Sequence, residues 1–396
     1  MRRLLCWSAV ALVGVVLAMP ACQAAIHEYQ PVLMLALPYG DELGMLGLAP
    51  DVPGESETEE GASLYGLAAP VPDVVYLLDQ VQGKVKRVSA GQIAPVMDMP
   101  GNIWSVCAMP SERMVYSLGQ WDLQPAHLAV YDTDGTEVQG AGQSIWDQAI
   151  AQVTLAGPPW FTVAGVDATG EIFLSAAPIA TEGNETLIRY GADLVLQRTL
   201  PGHSVGWDGL TQGLQSSGGP KSNDRLARYT RDGGIASEAL LRPPEECSQG
   251  DYDPVAHEWQ ALPGLFVDCR GEIYVVREPE RTPDQYVRLG EGVTIRQDLV
   301  IYKFDSAGTF LVKLVLPGMP FYATDPLAVD LEGNLYHVVH YADHAELVKE
   351  CLVITSALAP RACAAARHPG GGGMGGQMGL PSPPGDSGEG AHHAHL

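Results

Sequence analysis

Basic residues are scarce. The 396-residue chain holds 23 Lys and Arg against 47 Asp and Glu, a formal charge of −24. Nucleic acids are gripped by clustered cations that displace counterions from phosphates, and the chain has no such cluster. The same imbalance argues against docking of its side chains on an anionic membrane surface. C-x-x-C and Cys/His zinc spacings are missing, which removes zinc fingers. There is no G-x-S-x-G, and neither G-x-G-x-x-G nor a P-loop follows a strand pattern. Nucleophile elbows and phosphate cradles are therefore unsupported, and no motif names a cofactor. Between residues 64 and 354 almost no stretch keeps a helical period.

The N-terminus carries an export pattern. Met1, Arg2 and Arg3 precede an apolar run over 4–19 and small residues over 20–25. The run falls short of the roughly 20 apolar residues of a membrane span and reads as a signal peptide over 1–24. Two cleavage readings stand. Cys22 resembles the lipidated cysteine of a bacterial lipoprotein, which would make it the one membrane anchor. Cleavage after Ala24 or Ala25 instead releases the protein. Either way the expected location is exported: periplasmic, outer-membrane-anchored or extracellular.

Seven cysteines fit an oxidising compartment. Cys6 leaves with the signal. Two local disulfides are expected, Cys247–Cys269 and Cys351–Cys363, each contributing about 2 to 4 kcal/mol, with Cys107 buried and free.

One phrase recurs: VDATGEIFL at 166–174, VDCRGEIYV at 267–275 and VDLEGNLYHV at 329–338. Each reads as a hairpin, with Gly supplying positive φ and Asp bonding its own backbone. Further alternating strands with Asp/Gly turns follow at 127–142, 186–202, 224–243 and 299–318. Four strands repeating every 40 to 50 or so residues mark a propeller blade. Anchors near Ala69, Pro110, Asp167, Asp208, Asp268 and Asp330 are spaced 41, 57, 41, 60 and 62 residues apart. The expected fold is thus an all-β, six-bladed β-propeller of four-stranded blades over 64–360. The blade around Asp208 fits worst, lacking a clean second strand. Upstream, 26–63 holds an orphan apolar strand (29–38), expected to complete the last blade, and an acidic Pro/Gly/Ser-rich loop. The Gly/Pro/His-rich tail over 364–396 has too little apolar bulk to pack and is expected to be disordered.

The segments VVYLLDQVQGKVKRV (74–88) and VDCRGEIYVV (267–276) resemble NHL-repeat blades and their gluconolactonase-like six-bladed relatives over roughly 65–354. The resemblance implies the fold; such propellers include binding scaffolds, lactonases and lyases. In the gluconolactonase-like group a channel-lining Glu, Asn and Asp hold a metal. No motif here matches those positions, so nothing is carried over.

Candidate chemistry is thin. Asp167, Asp268 and Asp330 suit a divalent cation, but their place before Gly already explains them as turn formers. His337 and His340, odd-spaced on one strand, point to opposite faces and read, with His344, as surface histidines. In the tail, His392, His393 and His395 suit copper, nickel or zinc. Insertions at 203–223, 244–263 and 277–297 come from neighbouring blades and carry Trp207, Tyr252, Trp259 and Tyr286, aromatics of the kind that anchor ligands. These rings serve equally well as fillers of the insertions' own small cores. The reading is an exported, monomeric, non-catalytic scaffold binding a protein or glycan through loops on one face. The alternative is a metal-dependent hydrolase or lyase with its site in the central channel.

Overall fold

The computed structural model describes residues 26–47, 64–79, 81–99, 103–118, 127–152, 160–177, 186–215, 225–242, 265–277, 286–289, 292–320, 327–341 and 343–355. The chain is a six-bladed β-propeller: six antiparallel sheets succeed one another in a ring.

Sheet one holds β2 (Leu64–Val71), β3 (Val74–Asp79), β4 (Lys84–Ser89) and β5 (Gln92–Asp98), in that order. Sheet two holds β6 (Ile103–Ala108), β7 (Met114–Leu118) and β8 (His127–Tyr131), and sheet three β9 (Trp160–Val166), β10 (Ile172–Ala177), β11 (Thr186–Tyr190) and β12 (Leu196–Pro201). Sheet four follows with β13 (Ser204–Val205), β14 (Thr211–Gln215), β15 (Arg225–Tyr229) and β16 (Ile235–Leu240). Sheet five contains β17 (Leu265–Val267), β18 (Ile273–Arg277), β20 (Gly292–Phe304) and β21 (Phe310–Pro320), with β19 (Tyr286–Leu289) paired to the start of β20. Sheet six runs β22 (Leu327–Val329), β23 (Leu335–His340), β24 (His344–Thr355) and then β1 (Ile26–Pro38). The N-terminal strand is thus the outermost strand of the last sheet, in register from Ile26 opposite Thr355 to Pro38 opposite His344.

The first strands of neighbouring sheets touch one another: β22 with β2, β2 with β6, β6 with β9, β9 with β13 and β13 with β17. They are the innermost strands, and the one of sheet six, enclosed on both faces, is written in continuous apolar residues, Leu327, Ala328 and Val329. The outermost strands are wetter: Gln92, Ala94, Pro95 and Asp98 of β5 and Ile235 of β16 are exposed.

Two local expectations need correcting. In sheet four the second strand, β14, is regular; it is the first that is only two residues long. Sheet two has three strands plus a bridge from Tyr131 to Glu137, after which the chain forms a helix, α1 (Ala141–Ile150). Its ten residues are too few to set a period by eye. Ile145, Trp146 and Ala149 face the core shared with Leu128 and Phe161. Gly142 is required there, because a Cβ would lie 1.8 Å from the Leu128 carbonyl oxygen.

Candidate functional site

Each first-to-second-strand hairpin lies at one end of its sheet, and the repeated aspartates are built into these hairpins. Asp167 Oδ1 accepts the backbone N–H of Thr169 (2.9 Å) and Glu171 (3.0 Å). Asp268 does the same for Arg270 and Glu272, and Asp330 for Glu332 and Asn334. The glycine two residues before the second strand is left-handed in each case, as at Gly170 (φ 82°) and Gly333 (φ 83°). The second carboxylate oxygen is also engaged. Arg231 donates to Asp167 Oδ2 (2.7 Å), Tyr274 to Asp268 Oδ2 (3.0 Å), and Asn334 and Tyr336 to Asp330 Oδ2 (2.8 and 2.7 Å). All three aspartates are fully buried. Burial pushes the Asp167 and Asp268 carboxyls up, against the pull of their hydrogen bonds and of Arg231 and Arg270.

These hairpins also receive bonds from the preceding sheet. Arg87 and Tyr76 of sheet one donate to Glu112 in the second hairpin (2.7 and 2.8 Å). Lys349 of sheet six donates to Asp73 in the first (2.7 Å), and the Asp73 N–H donates to the Tyr336 hydroxyl (3.0 Å). Arg270 of sheet five reaches the Glu332 carbonyl in the sixth (2.7 Å). Asp73 (φ 64°) and Glu112 (φ 63°) hold left-handed backbones without being glycine. That conformation costs a side-chain-bearing residue about 1 to 2 kcal/mol, and here the side chain is the one that ties two sheets together.

The densest cluster of titratable groups lies between sheet five and β1. The Lys303 ammonium, fully buried on β20, is 2.7 Å from Glu272, 3.0 Å from the Tyr29 hydroxyl and 3.3 Å from His27 Nδ1, over the Tyr274 ring. Burial pushes Lys303 down to about 8, with Glu272 opposing. Burial raises Glu272, but Lys303 and Arg270 outweigh it and leave it below its ordinary value. His27 is lowered by burial and by Lys303. With no exposed surface on the amine, the arrangement joins β1 to sheet five rather than offering a nucleophile to solvent. A repeated signal for such groups is present in the sequence: a cation at the same place in the third strand, at Arg87, Arg189, Arg228, Lys303 and Lys349. It was not recognised because alternation alone does not say that a charge points inward.

The histidines of β23 are not at the surface. His337 and His340 are buried, His337 facing Glu350 (3.2 Å) and His340 bonded to the Tyr39 hydroxyl (2.8 Å) and stacked on its ring. They do point to opposite faces, as their odd spacing requires, and both are buried because both faces of this second strand are covered. His344 alone is partly exposed, beside Asp343.

The expected aromatic cluster is split. Trp207 is in the fourth hairpin, at the tight-turn end of the ring. Its N–H donates to Val267 of sheet five, its carbonyl accepts from Ala168 of sheet three (2.9 Å each), and its indole Nε1 donates to Val329 of sheet six (2.8 Å). Tyr252 and Trp259 lie outside the described residues, between β16 and β17, whose bordering ends are at the end opposite the hairpins. Tyr286 opens β19, pairing with Ile295. The strand ends bordering 216–224, 243–264 and 278–285 all lie at that opposite end of sheets four and five.

Cys107 is a buried free thiol, its pKa pushed up to about 12 by burial. Cys351 is also a free thiol, so the expected bridge to Cys363 is not formed; its position is set mid-strand, opposite Gln30 of β1. Cys269 is disulfide-bonded; Cys247 lies outside the described residues, as do Cys22, Cys363, His392, His393 and His395. Among the described residues no helix is long and apolar enough to cross a membrane.

No family model and no curated protein matches this chain. Solved structures do. A Kuenenia stuttgartiensis hydrazine synthase is 12% identical over 72% of this chain and 76% of its own, with a TM-score of 0.38. A streptogramin B lyase is 13% identical over 78% and 96%, TM-score 0.35. A catalytically inactive Staphylococcus aureus virginiamycin B lyase with quinupristin is 11% identical over 81% and 99%, TM-score 0.34. The likeness is one of fold and carries no activity to this chain.

Proposed function

We propose that this chain is an exported, monomeric propeller scaffold that binds a protein or glycan ligand at the end of the ring opposite the Asp–Gly hairpins, without catalysing a reaction. One observation carries the reading: the two ends of the ring are built differently. The hairpin end is made of tight turns bonded to one another and to Trp207, which leaves little surface free to adapt. The strand ends that border 216–224, 243–264 and 278–285 lie at the opposite end, and long loops on a rigid scaffold are where recognition resides. The carboxylates on which a metal-dependent hydrolase or lyase would draw are already engaged within their own hairpins, which favours the binding reading over the channel enzyme.

The test compares the mature wild type with a variant in which 244–263 is replaced by a short Gly/Ser linker, on a glycan array and in cross-linking to exported proteins of the source cell. Binding in the wild type and its loss in the linker variant is expected, at equal thermal stability. Divalent-ion-dependent turnover of lactones, or binding that survives the linker, would overturn the reading. Export is tested separately, by N-terminal sequencing of the mature protein.

A further inference from the structure

Five sheets share a cross-strand pair near the hairpin end: an aromatic or amide residue on the second strand opposite a cation on the third. The pairs are Tyr76 with Arg87, Phe173 with Arg189, Gln212 with Arg228, Tyr274 with Lys303 and Tyr336 with Lys349. In sheets one, three, five and six a ring fills the position and is buried. In sheet four it is Gln212, fully buried, and neither its amide nitrogen nor its amide oxygen has a partner among the described residues.

Two more buried polar atoms in the same row share that condition. Ser204 stands directly opposite Gln212 on β13, and its Oγ has no partner. Arg228 stands opposite Gln212 on β15; its Nη2 is bound to Asp208, yet its Nε has no partner. Directly opposed residues present their side chains on one face of a sheet. That face meets sheet five, where the Gly271 hairpin lies against Arg228. Each buried polar atom left unmet costs about 1 to 3 kcal/mol, so four in one row are a built polar recess rather than a packing accident.

The chemistry of its lining selects the guest. Gln212 Nε2, Arg228 Nε and Ser204 Oγ offer donors; Gln212 Oε1 and Ser204 Oγ offer acceptors. An apolar guest would leave all of them unmet. An anion would face the Gln212 oxygen and a guanidinium already neutralised by Asp208. A hydroxyl, donor and acceptor at once, satisfies both sides. The route in is from the axis: Ser204 and Val205 are half-exposed, whereas the innermost strand of sheet six is buried throughout.

We propose that the joint between sheets four and five is a binding recess for a hydroxyl-bearing guest, either ordered water or a sugar hydroxyl, held by Gln212, Ser204 and Arg228. It stands whether or not the loop end binds a ligand. The test is a crystal structure of the mature protein grown without polyols, repeated after soaking with glucose and with the Gln212→Leu variant. Oxygen density at about 2.7 to 3.2 Å from both Gln212 amide atoms is expected, and Gln212→Leu should lose it. Density unchanged by glucose identifies water; a sugar ring entering beside Ser204 identifies the sugar hydroxyl. Gln212 bonded to protein groups with no oxygen beside it, or density that persists in Gln212→Leu, would overturn the proposal. Should the variant fail to fold, the wild-type density alone decides.

Discussion

The indole Nε1 of Trp207 donates a 2.8 Å hydrogen bond to the carbonyl of Val329, 122 residues away and two sheets further round the ring. Its backbone is bonded to sheets three and five, so a single residue links four of the six sheets. Trp207→Phe keeps most of the ring but orphans the Val329 carbonyl. It should cost about 1 to 2 kcal/mol in urea unfolding and leave ligand capture at the opposite end unchanged. Loss of capture at unchanged stability would place Trp207 in the binding surface instead.

Asp330 should matter far more than the half-buried turn residue Asp305. Asp330 accepts four hydrogen bonds in a buried hairpin, from the Glu332 and Asn334 N–H groups, Asn334 Nδ2 and the Tyr336 hydroxyl. Asp305 accepts two at the surface, from Ala307 and Thr309. Asp330→Ala is expected to cost on the order of 4 kcal/mol and Asp305→Ala under about 1. Equal small losses in denaturant titrations would show that the aspartate is not what holds the turn.

His340 makes stability pH-dependent. Burial lowers its pKa to about 4 from an ordinary value of 6.5. The unfolded chain therefore takes up the proton first, and stability contributed by the neutral imidazole is present above pH 6.5 and lost as pH falls toward 4. Carboxylates titrate in the same range, so the measurement is a difference. The gap in unfolding free energy between wild type and His340→Gln should shrink by roughly 3 kcal/mol from pH 7 to pH 4. A gap independent of pH would mean that His340 titrates in the fold as it does in the unfolded chain.

Removing 26–38 tests whether β1 holds the ring together. It would strip β24 of its outer partner and take Tyr29 and His27 from Lys303, leaving a buried amine with fewer partners. Leu37 would also leave the cluster it shares with Val75 of sheet one and Val338 of sheet six. We expect loss of cooperative unfolding, read by circular dichroism on heating. A variant melting like the full chain would refute this.

Cys247 is the proposed partner of Cys269. Non-reducing peptide mapping should recover a Cys247–Cys269 cross-link, with Cys351 alkylated readily and Cys107 only after unfolding. Alkylation of Cys269 in the native protein would exclude the bridge.

The sequence by itself determined the strand-and-turn repeat and from it the number of blades. Both follow from local chemistry: alternation at period two marks a pleated strand, and an Asp followed by a left-handed Gly marks the turn between two of them. Asp167, Asp268 and Asp330 were legible as turn formers for the same reason. Tertiary structure alone decided which face of each strand is enclosed and by what. Alternation in β23 shows that His337 and His340 diverge, but not that neighbouring strands and Tyr39 cover both faces. The cation in IYKF at 301–304 looks like any strand lysine until β1, almost 280 residues earlier, is laid beside it. Trp207 reads as an exposed loop aromatic until the fourth hairpin is brought against Val329. Turns are fixed by neighbours in the chain, whereas burial and partners are fixed by neighbours in space.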